Sequence, residues 1–230
     1  MFGRPKKVAA ENDTVTDSPC PGAGRFAAGA DPAKREQIID GAKRVFMEKG
    51  FDAASMNDVA RIAGVSKGTI YVYFQNKEDL FAALIERERS KFIAAMRDVL
   101  NENDDAEDAL MKYGTAFAVH LTYGDVISAM RIVLGVIDRM PSLTRRFFSA
   151  TPENARTVLK DYIDGQVAAG KLHTDDSEMA ARQFIELCTG TYFKLRLFGE
   201  MEEPPPREEI HRVVSSAVRM FMASYGPKTR

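Results

Sequence analysis

The sequence predicts an all-α fold, with an amino-terminal three-helix bundle followed by a larger helical bundle. Three observations predict it. Apolar residues recur at helical spacing after residue 30, and no stretch reads as a strand. Capping residues and Gly or Pro breaks punctuate that pattern throughout. The stretch 51–80 alone holds three helix starts and one tight turn.

Residues 1–30 read as a leader, rich in Gly, Pro, Ser, Asp and Ala and without apolar periodicity. Asp31-Pro32 then supplies a cap and a helix-starting proline. The first helix runs to about Lys49, with Ile38, Ile39, Ala42, Val45 and Phe46 on one stripe. Ser55 and Asp58 form a capping box for a second helix, which Gly64 ends. Ser66 caps a short third helix and Asn76 caps a long fourth one, running to about Leu100. Two short helices joined by a turn containing Gly have the layout of a helix-turn-helix reader. Further helices are predicted at about 106–123, 125–139, 142–149, 153–169, 177–198 and 206–224.

Composition bounds the function. A chain of 230 residues, 45% hydrophobic and 28% charged, has room for a small domain plus a larger one. A net charge of −1 argues against coating nucleic acid by bulk attraction, though not against one basic face. The two cysteines, Cys20 and Cys188, build neither a disulfide framework nor a zinc site, which suits a reducing cytoplasm. No apolar run is long enough to span a membrane. His120, His173 and His211 are scattered, and no phosphate loop or nucleophile elbow occurs, so neither a metal, a cofactor nor an enzyme is expected.

The run VARIAGVSKGTIYVYFQNKEDL, with the preceding helix and Gly50-Phe51, resembles the tetracycline-repressor (TetR) family of bacterial transcriptional regulators. Gly64-Val65-Ser66, Gly68-Thr69, Tyr71, Tyr73-Phe74 and Asn76-Lys77-Glu78 sit at that family's spacing. From Met130 through Met140-Pro141 to Phe184, the chain looks like the AefR-type carboxy-terminal domain of some members. The resemblance implies three parts: a leader over 1–30, a DNA-binding domain over 31–76, and an effector-binding and dimerisation domain over 77–225. Gly3-Arg4-Pro5-Lys6-Lys7 looks like the basic arm that many members place before the first helix. A minor-groove arm and a solvated tail both remain open readings of it.

On the third helix Ile70 and Phe74 lie four apart and should face inward, leaving Lys67, Gly68, Thr69 and Val72 to meet bases. Ser55, Asn57, Ser66, Tyr71, Tyr73 and Lys77 are the candidate phosphate contacts, and the resemblance supports these positions, with Lys77 opening the fourth helix. One such reader touches little DNA, so a homodimer on a palindromic double-stranded operator is expected. By resemblance, the last two long helices supply the dimer interface, through Phe184, Leu187, Cys188, Leu195, Val214, Val218 and Phe221, the other reading being helices buried within one subunit. A small hydrophobic effector is expected among Tyr113, Phe117, His120, Met130, Ile137 and Phe147, with Tyr123, Arg131 and Asp138 as further polar anchors, plain core packing being the other reading of each residue. The implied function is a ligand-responsive repressor. The alternative is a small-molecule carrier, or an enzyme, using the carboxy-terminal helices.

Overall fold

The structure, a computed structural model, describes residues 29–102, 105–136, 138 and 154–227. Ten helices and no strand occur among them. The basic arm, Cys20, Ile137, Phe147 and the helix expected over 142–149 lie outside the described residues.

Local chemistry sets each boundary of the amino-terminal half. α1 (Pro32–Ala53) starts where the Asp31 carboxylate accepts the Ala33 and Lys34 amides at 2.9 and 3.2 Å. Gly50, at φ 75°, interrupts it, and one more turn carries Phe51 into the core. α2 (Met56–Ala63) opens on the expected capping box: the Asp58 amide donates to Ser55 Oγ at 3.1 Å and the Ser55 amide to Asp58 at 3.3 Å. It ends on Gly64 at φ 65°, a conformation that costs a side-chain-bearing residue. α3 (Lys67–Tyr73) begins on Ser66, whose hydroxyl accepts the Thr69 amide at 3.0 Å. α4 (Lys77–Asn101) begins on Asn76, which accepts the Asp79 amide at 2.7 Å.

α5 (Ala106–Thr122), α6 (Asp125–Val136), α7 (Ala155–Ala168), α8 (Ser177–Thr189), α9 (Phe193–Phe198) and α10 (Arg207–Tyr225) follow. The single helix expected over 177–198 is therefore two, α8 and α9. Thr189 Oγ1 donates back to the Ile185 carbonyl at 2.8 Å, a bond that bends helices, and Gly190 follows as the cap. Beyond the break, Arg196 reaches the Thr122 and Met201 carbonyls at 3.1 and 2.9 Å, which fixes α9 against α5.

Two apolar cores result. The amino-terminal core joins Ile38, Phe46, Phe51, Val59, Ile70 and Phe74 to Leu80, Phe81 and Leu84 from the start of α4. It also receives Val133 and Val136 from the end of α6. The larger core gathers Ile93 and Met96 of α4, Leu110 and Tyr113 of α5, Leu159 of α7, Phe184 of α8 and Phe221 of α10. Two helices, α4 and α6, thus connect the halves. Ion pairs brace the same junction: Lys43 of α1 meets Glu88 at 2.8 Å and Asp125 at 3.1 Å, while Arg87 meets Glu36 and Asp40 at 3.1 and 2.7 Å.

No single helix among the described residues is long and apolar enough to cross a membrane. Burial pushes the Cys188 thiol up to about 12, which leaves it an unreactive core residue.

Candidate nucleic-acid interface and cavity

α3 is anchored from one side. Ile70 is fully buried and Phe74 nearly so, and the Arg35 guanidinium lies over the Phe74 ring at 5.3 Å. The opposite flank carries Lys67, Gly68, Tyr71 and Val72, all exposed, Tyr71 at 47% and Val72 at 52%. A Cβ on Gly68 would meet nothing nearer than Ser66 Oγ, at 3.7 Å, so the backbone there is open to a close approach. Thr69 is half-buried, and its hydroxyl pairs with that of Ser66 at 2.8 Å. Val72 also meets the chain entering the fold: a Cβ on Gly29 would stand 3.2 Å from the Val72 carbonyl oxygen.

The expected phosphate contacts divide in two. Asn57, in the first turn of α2, and Ser66, the cap of α3, are exposed, and Tyr73 is half-buried against the amino-terminal core. Ser55 is exposed, but its hydroxyl donates to Asp58 at 2.6 Å. Bonds from Lys49 and then Ser55 hold the Asp58 carboxyl well below the usual carboxylate range. Lys77 is turned inward. Its ammonium donates to the Phe51, Ala54 and Asp52 carbonyls at 2.7, 3.0 and 3.2 Å, and it lies 4.5 Å from the centre of the Phe51 ring. A lysine ammonium has three donors, so Lys77 ties the end of α1 to the start of α4 instead of offering a free cation.

Two residues that position the reader went unrecognised in the sequence. Gln37 donates to the Ala63 carbonyl at 2.6 Å, and a Cβ on Gly41 would stand only 2.7 Å from that of Ala63. Their four-residue spacing on α1 was the available signal.

In the larger half a cavity of about 770 Å³ opens between α4, α5, α6, α7 and α8. Phe117, His120 and Met130 line it, together with Ile85, Phe92, Ile93 and Arg89 of α4. His120 stacks on Phe92 with ring centres 3.6 Å apart and planes 7° apart, and burial lowers its pKa by disfavouring the charged form. Tyr113 does not line it. That ring is fully buried in the larger core, and its hydroxyl donates to the Ala155 carbonyl at 2.7 Å. Tyr123 and Arg131 are also corrected: Tyr123 donates to the Pro205 carbonyl, and Arg131 to the Arg196 and Leu197 carbonyls at 2.6 and 3.0 Å. Asp138 is exposed and stands apart from the lining.

The expected dimer residues also need correction. Phe184, Cys188, Val214, Val218 and Phe221 are buried in their own subunit, because α5 packs against both α8 and α10 and takes up those faces. A Cβ on Gly114 of α5 would stand 2.8 Å from Val214 and 2.9 Å from Cys188, which shows how closely the three helices meet. Leu187 is half-buried and Leu195 exposed, and on α10 the large exposed apolar residue is Met220, at 54%.

Comparison with known proteins bears on both sites. Residues 38–84 match the family model described as bacterial regulatory proteins, tetR family. Residues 108–227 match the AefR-like transcriptional repressor, C-terminal domain. Over 77 residues the chain is 39% identical to the fatty acid metabolism regulator protein of Bacillus subtilis strain 168, covering 34% of this chain and 40% of that protein. The chain spans about two fifths of the length of the curated relatives it matches in this way. Whole-fold similarity reaches further. A TetR-family regulator from Mesorhizobium loti MAFF303099 superimposes with a TM-score of 0.77 at 25% identity, over 84% of this chain and 97% of that one. The flavonoid-responsive regulator FrrA does so with a TM-score of 0.65 at 28% identity, over 86% and 100%.

Proposed function

The chain belongs to the tetR family of bacterial regulatory proteins, with an AefR-like carboxy-terminal domain, and from that membership we propose a cytoplasmic, homodimeric transcriptional repressor released from its operator by a small apolar effector. The observation that carries the proposal is the open flank of α3, with Ile70 and Phe74 turned inward and Lys67, Gly68 and Val72 outward. Lys67 bonds guanine, and Thr69 and Val72 touch thymine methyl groups. Asn57, Ser66, Tyr71 and Tyr73 grip phosphates, with Ser55 and Lys77 holding the frame on which they sit.

A partner subunit supplies the second reader. Leu187 and Met220, on the outer faces of α8 and α10, are apolar surface that a four-helix interface would cover. An effector in the cavity acts through α4 and α6, since Ile85 and Met130 line it while Leu84 and Val133 enter the amino-terminal core. Displacing either helix takes the two readers off successive major-groove faces, about 34–36 Å apart. Coupling of this kind is typically worth about 1–3 kcal/mol.

Selection of the full-length protein on random duplex DNA tests the proposal. A two-fold symmetric consensus is the expected result, and its absence would overturn the DNA-reading role. On the selected operator, Tyr71→Ala should weaken binding to all sequences, whereas Lys67→Ala should change preference at particular base pairs.

A further inference from the structure

We propose that the cavity takes an apolar carboxylic acid, its acid group on Arg89 and its body against Phe92, Phe117 and Met130. The inference rests on reading the cavity as the effector site and adds the chemistry of what fills it. Its walls are mostly aliphatic and aromatic, which calls for an apolar body. Arg89 breaks that pattern. It lines the cavity from α4 with its side chain 19% exposed, and its Nε–H is buried with no hydrogen-bond partner among the described residues.

The same guanidinium is half-used. Nη2 donates to Glu86, whose side chain is 46% exposed, while the adjacent Nε–H on that edge has no acceptor among the described residues. That edge is the one a carboxylate grips with two parallel bonds. A neutral apolar ligand would leave the buried N–H unsatisfied, whereas a carboxylate satisfies it and lets Glu86 turn to water.

Charge around the lining agrees. Arg156 and Arg182 also line the cavity, and both bond to the single carboxylate of Glu178. The one acid among the described lining residues, Glu186, is exposed. His120, stacked on Phe92, contributes a flat wall.

Calorimetric titration of the full-length protein separates acid from neutral body. The probes are decanoate against decan-1-ol and 2-naphthoate against 2-naphthol, so that one pair reports a flexible chain and the other a planar ring. In at least one pair the acid should bind about tenfold tighter than its alcohol. Arg89→Gln should abolish that ratio, and Glu86→Gln should raise acid affinity without changing alcohol affinity. Alcohols binding as tightly as acids in both pairs, or an acid preference that survives Arg89→Gln, would overturn the proposal. Should Arg89→Gln fail to fold, the wild-type ratio and the Glu86→Gln variant still decide. Operator affinity, measured alongside, separates the two readings. Acid that binds through Arg89 without releasing operator refutes the effector role alone, and release by the alcohols alone refutes the acid alone.

Discussion

Gly41 sits where α1 crosses α2, and its missing side chain sets the distance between them. A methyl group there would stand 2.7 Å from Ala63 Cβ and 2.9 Å from the Ala63 backbone nitrogen, and backbone cannot yield as a flexible side chain can. Gly41→Ala would add up to about 1 kcal/mol of helix propensity. Overpacking costs about 1–3 kcal/mol, so the variant should melt lower, which a thermal scan reads directly. Lys77 makes a second case at this scale. Lys77→Met would strip three carbonyls at the end of α1 of their donor, so it should cost about 1–3 kcal/mol of stability in the absence of DNA. A lysine lost only as a phosphate contact would leave the melting temperature unchanged. The inward turn of Ile70 and Phe74 was legible because helical geometry alone decides it. The placement of Lys77 was not, since its partners stand 23 to 26 residues away in the chain.

Helices in this chain are delimited by side-chain caps, and caps are local enough to be read in advance. Asp31, Ser55, Ser66 and Asn76 all accept the amide bonds expected of them. Ser55→Ala should lower stability by about 0.5–2 kcal/mol, measured by denaturant unfolding, through loss of the α2 cap. The break between α8 and α9 was not legible, because the apolar pattern runs across it and tertiary bonds from Arg196 hold the second piece. The buried face of α8 was misassigned for a related reason. Periodicity identifies an apolar face, but which neighbour covers it depends on packing, and α5 covers this one. α5 also carries a pH response. The pKa of His120 lies below the ordinary 6.5 through burial, so protonation favours the unfolded chain. Its penalty should appear as pH falls through about 6.5 and level off below the folded-state value. His120→Gln should flatten the dependence of melting temperature on pH over that window.

For the whole molecule, the two cores share their connecting helices, so the reading helix and the cavity are mechanically linked. Val133→Ala should preserve ligand binding measured by calorimetry while weakening the ligand's effect on operator affinity, because the variant loosens α6 only at its amino-terminal-core end. Light scattering on a Leu187→Glu, Met220→Glu double variant should report a monomer, with operator binding lost in parallel. If the double variant stays dimeric, the interface lies elsewhere on the surface. The anchoring of Val133 and Val136 also bears on engineering. Anyone assembling a chimera by splicing this carboxy-terminal half onto a foreign reader at the linker before α4 would carry over Leu80, Phe81, Leu84, Val133 and Val136, all shaped for a socket the new reader lacks. Compatible chimeras must recut that socket as well, so these halves are less interchangeable than their separate family matches suggest.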